Sequence, residues 1–266
     1  MPGNFHESTF ASAAFATLAA LSTASAADIP MSAPAYKAPP PAPASSWTGC
    51  YVGGGGGYGM WTQKSFVTEA GAAVTASQTN GGEGGFGQGQ AGCDYQFTMP
   101  IFNMGAVFGV FGDYEAGSLT GTSSFPGVVG NERESSAWAV GGRVGVLVTP
   151  RLLSYFDGGW TRARFDAVNY DIAIPGGGAS GVGLAAQSYD GWFIGSGVEY
   201  AFDWLPWPGL FLKTEYRYSW YASPNGGVPL TGFLVAPVAA LALNSQKATQ
   251  TISTELVWRF NWFGGH

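Results

Sequence analysis

The segment Thr251-Ile252-Ser253-Thr254-Glu255-Leu256-Val257-Trp258-Arg259-Phe260 splits by parity. Ile252, Thr254, Leu256, Trp258 and Phe260 fall on one face, and Thr251, Ser253, Glu255, Val257 and Arg259 on the other. Such a two-residue period belongs to a β-strand, whose successive side chains point to opposite sides. The apolar face ends in aromatics, while the opposite face carries both signs of charge. In a soluble sheet the apolar face would turn to a shared core. In a transmembrane barrel it turns to lipid and the polar face lines the interior.

Composition separates the two. Charged residues are 11% of the chain, against about a quarter in an ordinary soluble domain, so the chain is short of groups to coat a soluble surface. With 46% hydrophobic residues and 15% aromatics it is also not a disordered chain. No apolar run reaches the roughly 18 residues that a helical span needs, and the best candidate, Phe233 to Leu243, is broken by Pro237. A net charge of -6 argues against nucleic acid as a partner.

Eight candidate strands follow: 47–60, 86–97, 102–115, 135–149, 153–165, 191–203, 210–220 and 250–260. Each reaches the roughly 9–11 residues that a tilted membrane strand requires. Their joins alternate. Residues 98–101, 150–152 and 204–209 are short, whereas 61–85, 116–134, 166–190 and 221–249 are long and rich in Gly, Ser, Thr and Asn. Short turns on one side and long loops on the other describe an eight-stranded antiparallel up-and-down transmembrane β-barrel, with short periplasmic turns and long extracellular loops. Residues 1–26 read as a signal peptide, since an apolar stretch from Phe10 to Leu21 precedes Ala24-Ser25-Ala26, although no Lys or Arg stands before it. Residues 27–46 read as a Pro-rich periplasmic linker and 47–266 as the barrel.

Parity assigns the faces. Trp192, Ile194, Val198, Tyr200 and Phe202 oppose Gly195, Gly197, Glu199 and Ala201; Leu212, Thr214, Tyr216, Tyr218 and Trp220 oppose Lys213, Glu215 and Arg217. Trp138, Val140, Val144, Val146 and Val148 oppose Gly141, Arg143 and Gly145. Gln88, Gln90, Gly92, Asp94 and Gln96 oppose Ala91, Cys93, Tyr95 and Phe97. The glycine-rich first strand gives no facing. Aromatic girdles are read at Tyr216, Tyr218, Trp220 and Tyr221 on one rim, and at Phe202, Trp204, Trp207, Trp258, Phe260, Trp262 and Phe263 on the other.

An eight-stranded barrel is just wide enough for side chains to fill it. The inward set Asp157, Glu199, Glu215 and Glu255 is therefore expected to pair with Arg143, Lys213, Arg217 and Arg259, because an unpaired buried charge is costly. The network would keep solutes out; a thin water-filled pore lined by the same residues is the alternative. Arg162 and Arg164 share the parity of Phe156 and Trp160, so they point outward near the outer rim, where they meet lipopolysaccharide phosphate or simply snorkel. If the first two strands form a hairpin, Cys50 falls opposite residue 93 or 94. A disulfide between Cys50 and Cys93 is one reading; two unpaired thiols on the apolar face is the preferred one.

The two histidines are His6 and His266, so histidine base chemistry and histidine metal sites inside the fold are not expected, nor is any cofactor. The glycine clusters at 53–57 and 81–89 lack the Gly-Lys-Ser/Thr continuation of a phosphate loop.

Several stretches, in order, resemble the small outer-membrane β-barrel proteins of alpha-proteobacteria, of the opacity-protein or porin-like type. They are Ala26-Ala27-Asp28-Ile29-Pro30 with the linker, Trp47-Thr48-Gly49-Cys50-Tyr51-Val52-Gly53-Gly54, and Val107 to Glu115. Arg143-Val144-Gly145, Gly158-Gly159-Trp160, Gly197 to Tyr200 and Glu215-Tyr216-Arg217-Tyr218 continue the series. The resemblance spans 27–263. It implies a non-enzymatic surface protein of the Gram-negative outer membrane that supports envelope integrity, some relatives being termed porins; the barrel is expected to be a monomer. Its partners would be outer-membrane lipid, lipopolysaccharide and, during assembly, the barrel-insertion machinery. The chain departs from the pattern at Cys50, where an aromatic is usual, and in running beyond Phe260 and Phe263, one of which must supply the aromatic that the machinery reads.

Overall fold

A computed structural model describes residues 46–202, 205–207, 209–223, 227–232 and 241–260. Signal and linker (1–26 and 27–46) lie outside these residues, Ser46 apart, as do Trp204, Trp262 and Phe263. The strands are β1 Gly49–Glu69, β2 Ala72–Ala73, β3 Gln78–Met99, β4 Met104–Phe125, β5 Val128–Thr149 and β6 Leu152–Phe165. They continue as β7 Val168–Ile172, β8 Ala179–Leu184, β9 Gln187–Ala201, β10 Leu210–Ala222, β11 Val228–Gly232 and β12 Leu241–Phe260.

All pair antiparallel, and β12 returns to β1 from Cys50↔Phe260 to Glu69↔Leu241, which closes the barrel. In the lower part the ring is β1-β3-β4-β5-β6-β9-β10-β12. Higher up, β7, β8 and β11 stand in for β6, β9 and β10, again between β5 and β12. The eight strands read from the sequence are thus eight staves, three of them interrupted part-way. The turns at one end are short: Pro100–Asn103, Pro150–Arg151 and the connection from Phe202 to Gly209. Gly209 has φ +84°, and a Cβ there would crowd the Arg259 carbonyl, so this turn requires glycine.

The facing follows parity. Ile252, Leu256, Trp258, Trp192, Ile194, Val144 and Phe156 are exposed on the outer wall, while Lys213, Glu215, Arg217, Glu255 and Arg259 are buried inside. Trp160 sits opposite Trp192, which sits opposite Trp220, and Tyr114 sits opposite Trp138. These rings form the upper girdle, with Trp138 and Trp160 centroids 4.6 Å apart. Tyr95, Phe97 and Phe108 belong to the lower one. Tyr221 does not join the upper rim: it is buried and points inward, because its parity is that of Arg217 and not of Trp220.

The staves are longer than the sequence pattern suggests. Much of 61–85 and 116–134, read above as loop, is strand, as are parts of 166–190 and 221–249. The face chemistry inverts above the girdle, which hid these segments. Along β1, Trp61, Gln63, Ser65 and Val67 stay inward while Thr62 and Lys64 point out to solvent. Water outside requires polar outward positions, so the apolar residues move to the interior. A 22-residue stave tilted about 40° stands roughly 55 Å tall, about twice the ~25 Å apolar band. The interior accordingly holds two cores. One contains Trp47, Tyr51, Phe111, Tyr155, Phe193 and Phe211 at membrane level. The other contains Trp61, Phe165, Tyr170, Leu184, Tyr189 and Leu230 above it.

Candidate functional site

Inward charges fall into three layers. Lowest is a ring of alternating sign. Arg143 donates from Nε to Asp94 Oδ1 (2.9 Å), and its other terminal nitrogens pair with Asp94 Oδ2 and with Glu199 Oε2 (3.1 Å). Arg259 closes the ring through Glu199 Oε1 (2.8 Å from Nη2) and Asp94 Oδ2 (2.6 Å from Nη1). The ring lies among aromatics. Tyr51 faces both guanidinium groups at 4.7 and 4.9 Å, and Trp47 faces Arg259 at 5.0 Å. Trp47 Nε1 donates to the Pro150 carbonyl at 3.2 Å, which holds the indole across the periplasmic end.

The middle layer is held by two bases. Lys213 Nζ lies 2.7 Å from Glu215 Oε2, 3.3 Å from Glu255 Oε1 and 2.9 Å from Gln90 Oε1. Arg217 grips Asp113 through two nitrogens (3.0 and 2.8 Å) and Glu215 Oε1 through Nε at 2.9 Å. Tyr155 donates to Glu215 Oε2 at 3.0 Å. The uppermost layer, above the girdle, centres on Lys247. Its ammonium bonds Gln63 Oε1 and Glu132 Oε1 and lies 3.8 Å from the Phe165 ring centroid, with Tyr189 and Trp61 completing an aromatic cage. Beside it Thr249 donates to Glu134 Oε2 at 3.0 Å. Burial pushes the Glu134 carboxyl up to about 7, against that hydrogen bond and the charge of Lys247. Burial lowers Lys247 itself, with Glu132 opposing.

Of the eight inward residues read from parity, all are buried, and seven stand in ion pairs. Asp157 departs from the expected pairing: neither carboxylate oxygen accepts a hydrogen bond among the described residues. Although it sits opposite Arg143 across the ladder, Arg143 turns instead to Asp94 and Glu199. The equal balance of four acids and four bases is also corrected. Asp94, Asp113, Glu132, Glu134 and Lys247 are buried inside as well, so acids outnumber bases. Asp94 was on the polar face by parity and was legible. Glu132, Glu134 and Lys247 lay in stretches read as loop, where no facing is assigned.

Small residues make room for these layers. A Cβ at Gly109 would overlap Asp94 Oδ1, one at Gly195 would overlap Asp157 Oδ1, and one at Gly197 would overlap the Tyr155 hydroxyl. On the outer wall, Cys50 and Cys93 occupy opposed register positions and are joined in a disulfide, which replaces the preferred reading of two free thiols. Strand pairing fixes this, and the glycine-rich β1 gave no facing from which to foresee it. Arg162 and Arg164 point outward above Trp160, Arg162 with Nε 3.5 Å from Asp190 Oδ1.

A family model described as outer membrane protein beta-barrel domain matches residues 13–260. The 31 kDa outer-membrane immunogenic protein of Brucella melitensis is 30% identical over 217 residues, 77% of this chain and 84% of that protein, and its Brucella suis counterpart matches equally. Among solved structures, Neisserial surface protein A aligns with 13% identity over 80% of this chain and 98% of its own, at a TM-score of 0.37. The outer membrane protein OprG of Pseudomonas aeruginosa aligns with 10% identity over 81% and 99%, at 0.41. With a closed ring of staves, lipid-facing apolar residues and a family match along nearly its whole length, the chain belongs to the outer membrane protein β-barrel family, resident in the outer membrane of the Gram-negative envelope.

Proposed function

We propose that this protein is a structural, surface-presenting component of the envelope whose lumen is sealed by its own charge layers, and that it acts as a monomer without catalysis. The carrying observation is the Asp94–Arg143–Glu199–Arg259 ring, roofed by Tyr51 and floored by Trp47, spanning a barrel of only eight staves. A solute would have to break several charge-assisted hydrogen bonds in a low-dielectric interior, where one unpaired charge costs several kcal/mol. The Lys247 cage supports the reading as a second constriction higher up. Arg162 and Arg164, just above the girdle, are proposed to meet lipopolysaccharide phosphates, and the C-terminal strand to be read by the insertion machinery.

A narrow cation-conducting pore is the second reading, favoured by the surplus of interior carboxylates among the described residues and by Asp157, which lies against Glu215 and stands in no ion pair among them. Conductance of the purified protein in a planar bilayer separates them. The sealed reading expects silent insertions from wild type and, because the Lys213–Arg217 layer and the Lys247 cage remain, from a variant with Arg143 and Arg259 both replaced by Ser. Steady ohmic channels from most wild-type insertions sink it.

A further inference from the structure

The hairpin that begins the barrel has few side chains with which to find its register. Ten pairs join β1 to β3 from Gly53↔Gln90 to Thr62↔Gly81, and every pair but Met60↔Glu83 contains a glycine. Gly54↔Gly89, Gly56↔Gly87 and Gly59↔Gly84 are glycine on both sides. Cross-strand side-chain pairs favour one register over another, and glycine-rich strands are prone to slip. A slip of two residues keeps parity and restores the backbone ladder. Phe86, the largest side chain of the β3 stretch, discriminates poorly against it. It faces Gly57, where a Cβ would lie 2.6 Å from its ring, and after such a slip it would face Gly55 or Gly59.

Three pairs below this stretch, a covalent bond supplies what the side chains do not. Cys50 and Cys93 are opposed in the same ladder and joined. A slip of two would set Cys50 against Ala91 or Tyr95 instead. These are the two cysteines of the chain, so no other pairing competes within it. The bond also lies where exchange chemistry does not run. Its outer-wall neighbours are Val52, Ala91, Val110 and Phe260. Val110, opposite Cys93, stands two residues above Phe108 of the lower girdle and four below Tyr114 of the upper one, about 5 and 10 Å along the barrel axis. Thiol–disulfide exchange needs an ionised thiolate at the sulfur, and hydrocarbon expels charge.

We propose that Cys50–Cys93 is a register lock, closed by a periplasmic dithiol–disulfide oxidase while the chain is in water and sealed by lipid once the barrel inserts. One cysteine thiolate attacks the oxidase's disulfide and displaces one of its thiolates. The second attacks the mixed disulfide and displaces the other. The two cysteines lose two electrons and two protons, and the oxidase leaves as a dithiol. Insertion then starts from a glycine hairpin already in register.

The test uses the full chain in phosphatidylcholine vesicles. Dithiothreitol opens the bond of inserted wild type about a hundredfold or more slower than that of the same chain in urea. Oxidised glutathione closes the bond in reduced chain in urea and leaves reduced, inserted chain open. Register is read in Cys50→Ala/Cys93→Ala by new outward pairs above the girdle, where aqueous oxidant reaches. Lys64→Cys/Thr79→Cys reports the native register and Thr62→Cys/Thr79→Cys a slip of two. Both cross-link in that background, or the background loses its heat-modifiable band; the comparison of vesicles with urea on wild type stands in either case. Equal opening rates in vesicles and urea would overturn the proposal, as would closure by glutathione in the inserted chain. So would an Ala background that folds with wild-type yield and cross-links in the native register alone.

Discussion

Arg259 touches two acids, a carbonyl and three aromatic rings, all buried. Replacing it by Met would leave Asp94 and Glu199 with one shared base, and removal of one partner from a buried network costs about 3–5 kcal/mol. Arg259→Met is expected to lower the urea midpoint in lipid vesicles accordingly. Glu134 behaves differently. Its folded carboxyl stands at about 7 against 4.5 as the ordinary value, so the fold binds its proton more tightly than the unfolded chain does. The stabilisation is complete below about pH 4.5 and is lost as pH rises towards 7, on the order of 3 kcal/mol. Unfolding measured from pH 4 to 8 should show this slope in wild type and a flatter one in Glu134→Gln. An unchanged slope in the variant would mean that Glu134 is not its source.

At the scale of the strand, glycine serves two surfaces. Inward glycines are spaces for neighbours: Gly109→Val drives a side chain into Asp94, and Gly197→Val drives one into Tyr155. Both are expected to abolish the heat-modifiable band. Gly89 faces the outer wall and a Cβ there meets nothing closer than 4.0 Å, so Gly89→Ala is expected to leave that band intact. The Cys50–Cys93 bond joins β1 to β3 across 43 residues of sequence. Its removal in Cys50→Ser/Cys93→Ser should cost about 2–4 kcal/mol, read as a lower unfolding midpoint than wild type under non-reducing conditions. Equal midpoints would show that the twenty pairs between β1 and β12 already hold the first stave.

For the whole molecule, the barrel serves two solvents in succession with one set of staves. Parity along a stave never changes, but which parity is apolar does. Below the girdle a strand reads apolar-out and charged-in; above it, polar-out with Trp61, Phe165 and Tyr189 inside. This inversion predicts a protease-resistant outer half: the uninterrupted staves above the girdle are hydrogen-bonded on both sides, and cleavage of intact cells should be confined to the tips and to the breaks between β6 and β7, β8 and β9, and β10 and β11. Rapid cutting within 61–69 or 118–125 would contradict it.

Residue order alone determined the count of eight staves, their short-turn end, the lipid-facing side of the lower half and the inward position of Lys213, Glu215, Arg217, Glu255 and Arg259. Each of these follows from a two-residue period read against one known exterior, hydrocarbon. Only the tertiary structure decided the height of the barrel, because above the girdle the exterior is water and the same alternation reads as a polar loop. It also decided which charges meet. Arg143 chooses Asp94 over its register partner Asp157, and Lys247 finds Glu132 from 115 residues away, since pairing across a lumen depends on stagger and side-chain reach rather than on position in the chain.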